Sequence, residues 1–108
     1  MKGRELLGEV EQIVLLVILR LGEGTYAVPI REELRRNGVD LSRGSVYVTL
    51  DRLERKGYVR SWFDDPTPEP GGKARRCFRI ERDGVAALRT NQKLLRRLQA
   101  GTLLGPES

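Results

Sequence analysis

Apolar residues recur at helical spacing in four segments of the chain, and a β-rich stretch separates the third segment from the fourth. The four helical segments are residues 6–21, 26–37, 42–57 and about 84–100. Residues 58–63 and 74–80 are predicted strands, and the loop between them carries three prolines, which cannot donate to a sheet ladder. The order helix, helix, helix, hairpin, helix predicts a mainly α fold with a small β-hairpin, a winged helix-turn-helix followed by a C-terminal helix.

The third helical segment has a recognisable start, a narrow apolar face and a recognisable end. Ser42 can cap the helix, because its side-chain oxygen can accept a free amide hydrogen of the first turn. Val46, Leu50 and Leu53 form one lean apolar stripe. Gly57 can adopt the left-handed conformation that ends many helices. A helix with so little apolar surface, next to a basic hairpin, is typical of the DNA-binding surface of a winged helix.

Two connections around the second helix are predicted from local signals alone. Thr25 is a candidate cap for the start of this helix. Residues 39–41 read as a short extended link, too brief for more than a single bridging strand.

The first and last helices carry more apolar surface than one small core can absorb. Leu15, Leu16 and Leu19 widen the apolar face of the first helix, and leucines also form a stripe on the last helix. Two copies that pack these helices together around a twofold axis would bury this surface. The predicted dimerisation residues are Leu88, Asn91, Leu95 and Leu98.

Asn91 interrupts that stripe and has two interpretations. On the seam between two copies, a single polar residue fixes the register, as it does in coiled coils. Alternatively, Asn91 is an exposed residue on a helix that folds back onto its own domain. The predicted organisation is a DNA-binding domain at residues 1–82, a dimerisation helix at 83–101 and a flexible tail at 102–108.

Composition favours an intracellular protein with an anionic partner. The chain has 108 residues, and 20 Lys and Arg against 15 Asp and Glu give a net charge of +5, although many basic proteins bind no nucleic acid. The single cysteine, Cys77, excludes an internal disulfide and suits a reducing, cytoplasmic location. The apolar run from Val14 to Leu19 is far shorter than the ~20 residues of a membrane-spanning helix, so no membrane association is expected.

The residue types argue against an enzyme. The chain has no histidine, which excludes a histidine base, a histidine ligand or a histidine-based triad. Asp64 and Asp65 border the proline-rich loop and are better explained as turn caps than as paired catalytic acids. Cys77 lacks a neighbouring Cys or His for a metal site, and it reads as a half-buried strand residue in preference to a redox-sensing thiol. No enzymatic activity, metal or cofactor is predicted.

The leading turns of the third helix supply most of the candidate DNA contacts. Phosphates attract arginine, the helix amino end offers free amides, and a glycine there lets the backbone approach closely. Tyr47 lies at the edge of the apolar face, where its hydroxyl could reach a phosphate or its ring could belong to the core. Arg55 sits late and can pair with Asp51 instead. The predicted contacts in this segment are Ser42, Arg43, Gly44, Ser45, Tyr47, Val48, Thr49 and Arg52.

The returning strand supplies the second set of candidate contacts. Lys73, Arg75 and Arg76 follow one another with no acid between them. They are predicted to lie along or inside a minor groove, which attracts arginine where it is narrow. The alternative is a solvated edge strand whose charges prevent pairing with other sheets. The adjacent third helix favours the DNA interpretation.

These segments together resemble the PadR family of bacterial transcriptional regulators, from residue 7 to about 88. Residues 7–19 are similar to a common opening of short members, and 26–34 resemble the family's second helix. The segment 42–57 is the most specific match, and 66–73 look like the family's wing. Ala27 replaces the usual glycine, and Val48 stands where many members have proline.

The resemblance implies a dimeric repressor, and some members of the family sense aromatic compounds. We therefore predict a homodimer that binds double-stranded DNA at an inverted-repeat operator. A small-molecule effector is possible within the family, but Trp62 and three tyrosines form no obvious aromatic box. The competing hypothesis is a winged helix that docks on another protein through its apolar helices without specific DNA binding.

Overall fold

The computed structural model describes residues 6–64 and 74–105, which contain four helices and a three-stranded antiparallel sheet. In chain order the elements are α1 (Glu9–Leu21), β1 (Thr25–Tyr26), α2 (Ala27–Arg36), α3 (Arg43–Arg55), β2 (Val59–Phe63), β3 (Arg76–Ile80) and α4 (Arg82–Gln99). The strand order in the sheet is β1-β3-β2. The predicted order of helices and hairpin is therefore confirmed.

Helix α1 lies at the centre of the core and contacts α2, α3, β3 and α4. Its Val14, Leu15 and Ile18 side chains are almost completely removed from water. Phe78 of β3 and Leu88 of α4 belong to the same cluster. Burying such side chains is the main stabilising term of a small domain, at roughly 1.5–3 kcal/mol for each large apolar side chain.

The third strand of the sheet is not where the sequence suggested a bridging strand. The link 39–41 has no strand, whereas Thr25 and Tyr26 pair with Phe78 and Cys77 of β3. The prediction that Thr25 caps α2 is wrong, because Thr25 lies in β1 and Tyr26 occupies the cap position without a side-chain hydrogen bond. This pairing joins residues far apart in the chain, so local sequence signals carry no trace of it.

Most helix ends agree with the sequence. Gly57 has a φ of 81°, the left-handed conformation expected of the residue that ends α3. Helix α1 begins three residues later than predicted, because Gly8 is extended and its N–H donates to the Glu11 carboxylate at 2.8 Å. Helix α4 runs two residues further towards the N-terminus than predicted and ends one residue earlier.

Helix α4 packs closely on the base of the hairpin and then leaves the core. Gly84 makes this possible, since a Cβ atom there would collide with the carbonyl oxygen of Tyr58. Leu88 and Asn91 are buried, whereas Leu95 and Leu98 further along α4 are exposed. Among the residues that the structure describes, no helix is long and apolar enough to cross a membrane.

Candidate nucleic-acid interface

The amino end of α3 is capped and open to solvent. The Ser42 Oγ accepts a hydrogen bond from the Ser45 N–H at 3.0 Å, as predicted, and donates to the Ser45 Oγ at 2.9 Å. Arg43, Gly44 and Ser45 are all exposed. The first turn therefore presents backbone amides, hydroxyls and a guanidinium together, at the positive end of the helix dipole.

Gly44 has no evident role inside the fold. The nearest atom to a Cβ built at this position is the Ser42 Oγ at 4.0 Å, so an alanine would fit without a clash. Gly44 also does not adopt a positive φ. A glycine is therefore required here only if something outside the chain approaches the backbone closely.

The remaining predicted residues of α3 divide between surface and core. Val48 and Arg52 are exposed. Thr49 is only 5% exposed, and its hydroxyl donates to the Ser45 carbonyl at 2.9 Å. Tyr47 is half-buried and packs against the core. Val48 and Arg52 are therefore accessible to a partner on the surface of α3, whereas the predicted contact Thr49 is buried and bonds within the helix.

Arg75, which precedes β3, and Arg76, the first residue of β3, contact different partners. The Arg75 guanidinium lies 4.0 Å from the centre of the Tyr26 ring, a cation–π contact. Arg76 points towards α3 and pairs there with Asp51 and Glu54. Lys73, the third predicted wing contact, lies outside the described residues, as does Asp65.

Arg76 joins β3 to α3 through a network of charged hydrogen bonds, defined here as the Arg76 bridge: Arg76, Asp51, Glu54 and Ser61. Two of its nitrogens lie 2.9 Å from Asp51 Oδ1 and 2.7 Å from Glu54 Oε1. Its Nε donates to the Ser61 Oγ at 3.3 Å. The expected ion pair between Asp51 and Arg55 is not formed, because Arg76 is the ion-pair partner of Asp51 within the described residues.

The bridge shifts the pKa values of Glu54 and Arg76. Burial opposes the charged form of Glu54, but hydrogen bonds from Ser61 and Arg76 outweigh it, so the Glu54 pKa lies below its ordinary value. Burial likewise opposes the charged form of Arg76, but the two carboxylates outweigh it and raise the Arg76 pKa. Both residues are therefore charged at neutral pH.

The sequence does not single out two further exposed basic residues, one on α3 and one on β2. Arg55 is exposed one turn after Asp51, and the sequence spacing favours an ion pair between them that does not form. Arg60 is exposed on β2 and alternates with the buried Val59. That alternation of a buried and an exposed residue was a usable signal for Arg60 as a surface cation.

A second charged contact holds the far end of α3. The Lys56 Nζ lies 2.9 Å from Glu11 Oε2 and 3.1 Å from Oε1, and Glu11 is only 4% exposed. Burial opposes the charged form of Glu11, but the hydrogen bonds from Lys56 and from the Gly8 N–H outweigh it and lower the Glu11 pKa. This pair fixes the end of α3 against the start of α1.

Cys77 is buried in β3, more deeply than the sequence suggested, and its Sγ donates to Asp64 Oδ2 at 3.2 Å. Burial raises the pKa of the Cys77 thiol, and the bond to Asp64 raises it further. A protonated, buried thiol is a poor nucleophile. Across the described residues, no group of three His, Cys, Asp or Glu side chains is arranged to hold a metal ion.

The predicted dimerisation residues occupy two different environments. Leu88 is 3% exposed and belongs to the chain's own core. Asn91 is also buried: its Oδ1 accepts from the Leu7 N–H at 3.2 Å, and its Nδ2 donates to the Ala87 carbonyl at 2.8 Å. Only Leu95 and Leu98, at 44% and 67% exposed, lack cover from their own chain.

These features define a winged helix-turn-helix protein with a capped, exposed third helix beside a basic strand. The model of the PadR-like family of transcriptional regulators matches residues 14–90, and the chain belongs to this family. The chain is 37% identical to the transcriptional regulator Rv3488 of Mycobacterium tuberculosis over 79 residues, which cover 73% of this chain and 69% of that protein. Because the family consists of transcriptional regulators, the prediction that the chain is not an enzyme is confirmed.

Solved structures share the fold. A PadR family regulator from Clostridium difficile R20291 has a TM-score of 0.71 and 20% identity, covering 85% of this chain and 92% of that one. A PadR family regulator from Eggerthella lenta has a TM-score of 0.68 and 26% identity, covering 86% of this chain and 81% of that one. Membership of a family of transcriptional regulators implies that the chain binds DNA.

Proposed function

We propose that the chain is a repressor that binds an inverted-repeat operator as a homodimer. The observation that carries this proposal is the amino end of α3, where Arg43, Gly44 and Ser45 are exposed beside a satisfied Ser42 cap. This end combines phosphate-binding groups with a backbone that a partner can approach closely. Helix α3 is accordingly assigned as the recognition helix, the element that enters the major groove.

Other exposed cations extend the interface beyond that end. On α3 itself, Arg52 supplies charge further along the helix. Arg75 supplies charge on the hairpin, where its stacking on Tyr26 restricts the orientation of the guanidinium. Phosphate neutralisation by such cations provides most of the sequence-independent affinity for DNA.

The dimer is supported by the second half of α4. Leu95 and Leu98 continue the apolar stripe past the chain's own core, and Leu16 and Leu19 of α1 are also exposed. A second copy packed on these leucines would remove them from water, with residues 83–101 as the dimerisation helix. Asn91 already bonds within its own chain, so the proposed seam depends on Leu95 and Leu98.

A twofold dimer requires a DNA site with matching symmetry. Helix-turn-helix dimers read two half-sites whose centres are about one helical turn apart, or a multiple of it. A dimer bound across a promoter occupies the surface that polymerase needs, which is why repression is the proposed outcome.

Nuclease protection of the DNA upstream of the chain's own gene tests the proposal. We expect two protected half-sites related by an inverted repeat, and loss of protection when Arg43 and Arg52 are both replaced by alanine. A protein that protects no DNA, yet binds another protein through its apolar helices, would support the competing interaction-module hypothesis.

A further inference from the structure

We propose that Arg76 acts on DNA binding indirectly, by pairing with Asp51 and Glu54 of the recognition helix and reducing their negative charge, and that it is a positioning residue without a phosphate contact of its own. This inference rests on the proposed function, because it assumes that α3 enters DNA. It assigns Arg75 and Arg76, adjacent in the sequence and alike in charge, to different tasks.

The first step concerns where Asp51 lies. Val46, Leu50 and Leu53 face the core, and Asp51 lies on the opposite side of the helix, one turn after Val48 and one turn before Arg55. Its side chain is 52% exposed. A negative charge at the middle of the surface that faces DNA repels phosphates unless a cation compensates it.

The second step concerns the compensation. The Arg76 guanidinium spans Asp51 and Glu54, which lie three residues apart on α3, at 2.9 and 2.7 Å. A planar, forked guanidinium suits such a double contact, and a lysine ammonium does not reproduce it. The bridge therefore offsets part of the negative charge on α3 and ties the helix to the hairpin with one side chain.

The third step concerns what Arg76 has left to offer DNA. All three of its guanidinium nitrogens already meet oxygens of the bridge, and its side chain is only 25% exposed. The guanidinium carbon also lies 5.0 Å from the centre of the Phe78 ring. A phosphate that approached Arg76 would have to share the guanidinium with two carboxylates, which repel it. Among the described residues no carboxylate pairs with the Arg75 guanidinium, which lies over the Tyr26 ring.

The experiment compares single and double variants on operator DNA. Arg76→Met leaves Asp51 uncompensated and should weaken binding about tenfold, which corresponds to about 1.4 kcal/mol. Adding Asp51→Asn removes the stranded charge and should restore most of the affinity. Arg75→Met is the matched control: if Arg75 meets a phosphate, Asp51→Asn should not restore its loss.

Rescue of DNA affinity by Asp51→Asn distinguishes the proposal from two other roles for Arg76, a phosphate contact and stabilisation of the hairpin. If Arg76 contacted a phosphate, or only stabilised the hairpin, Asp51→Asn would strengthen DNA binding by Arg76→Met no more than it strengthens binding by Arg75→Met, and the proposal would be wrong. Should Arg76→Met fail to fold in a thermal melt, Arg76→Lys takes its place. A direct phosphate contact tolerates lysine, whereas the proposal expects a loss that Asp51→Asn again repairs.

The wild-type protein separates this inference from the proposed function. If the wild type binds no duplex, the proposed function fails. If the wild type and Arg76→Met bind operator DNA with equal affinity, the proposed function stands and the indirect role of Arg76 in DNA binding is excluded.

Discussion

At the scale of single residues, the charges that hold α3 in place differ from those that face a partner. Glu11 is nearly removed from water, and its partner Lys56 lies at the C-terminal end of α3. Arg43 and Arg52 are exposed. Substitutions in the first group should therefore change folding, and substitutions in the second group should change binding.

Glu11→Gln should lower the free energy of unfolding at pH 7 by about 1–3 kcal/mol, because it leaves the Lys56 ammonium without its carboxylate partner. The folded-state pKa of Glu11 lies below its unfolded value, so this stabilisation is present above the unfolded pKa and fades as the pH falls through the folded one. Urea unfolding at pH 7 and in acid measures both effects. Glu9→Gln, on the exposed side of the same turn, is the control that should change little.

Gly44→Ala should separate stability from binding in one substitution. The fold has room for the methyl group, and replacing a helical glycine stabilises by roughly 0.5–1 kcal/mol. If DNA backbone approaches Gly44, the same methyl group should weaken DNA binding. A thermal melt and a DNA titration check the two effects, and unchanged binding would mean that no close approach occurs there. Gly84→Ala is the contrasting variant, since its Cβ meets Tyr58 and should destabilise the fold.

At the scale of elements, α3 and the hairpin should contribute differently to sequence preference. Arg43→Ala or Arg52→Ala should reduce the preference for operator over random duplex, by about 1–3 kcal/mol if a base contact is lost. Arg75→Ala should weaken both duplexes by similar factors, because phosphates and groove shape carry little base identity. Titrations on two duplexes at one salt concentration give the comparison. If only the Arg75 variant lost its preference for operator over random duplex, the hairpin and not α3 would be the element that recognises the DNA sequence.

The helices of this fold could be predicted from sequence because their signals are local. Ser42 marks the start of α3 and Gly57 its end, and both signals involve residues only a few positions away. Strand β1 and the Arg76 bridge could not be predicted from the sequence, because they depend on partners that only the folded chain brings together. Arg76 pairs with Glu54, which lies 22 residues earlier in the chain, and no periodicity in the sequence predicts this pair.

The candidate site was predictable to a similar extent and for the same reason. The exposed amino end of α3 follows from its cap and its narrow apolar face. The burial of Thr49 depends on how α3 rotates against α1 and α2, and the different partners of Arg75 and Arg76 depend on where β3 begins. One stripe in the sequence joins Leu88 and Asn91 to Leu95, but only the packing of α4 shows where the core ends.

At the scale of the whole molecule, the exposed leucines of α4 determine the expected assembly. Leu95→Arg should convert the dimer into monomers, because a charge cannot be buried in the proposed apolar seam without a partner. Light scattering coupled to size-exclusion chromatography measures the mass directly. Ala86→Arg, on the outward face of the same helix, should remain a dimer. A Leu95→Arg variant that stays dimeric would move the seam to α1.

The salt dependence of DNA affinity tests the central claim, which is that the charged surface around α3 and the hairpin binds DNA. If each subunit neutralises about three to five phosphates, the logarithm of the binding constant should fall against the logarithm of salt concentration with a slope of roughly −5 to −9 per dimer. A slope in that range agrees with a DNA-binding surface of this size. An affinity that does not change with salt would contradict the account and favour a docking surface for another protein.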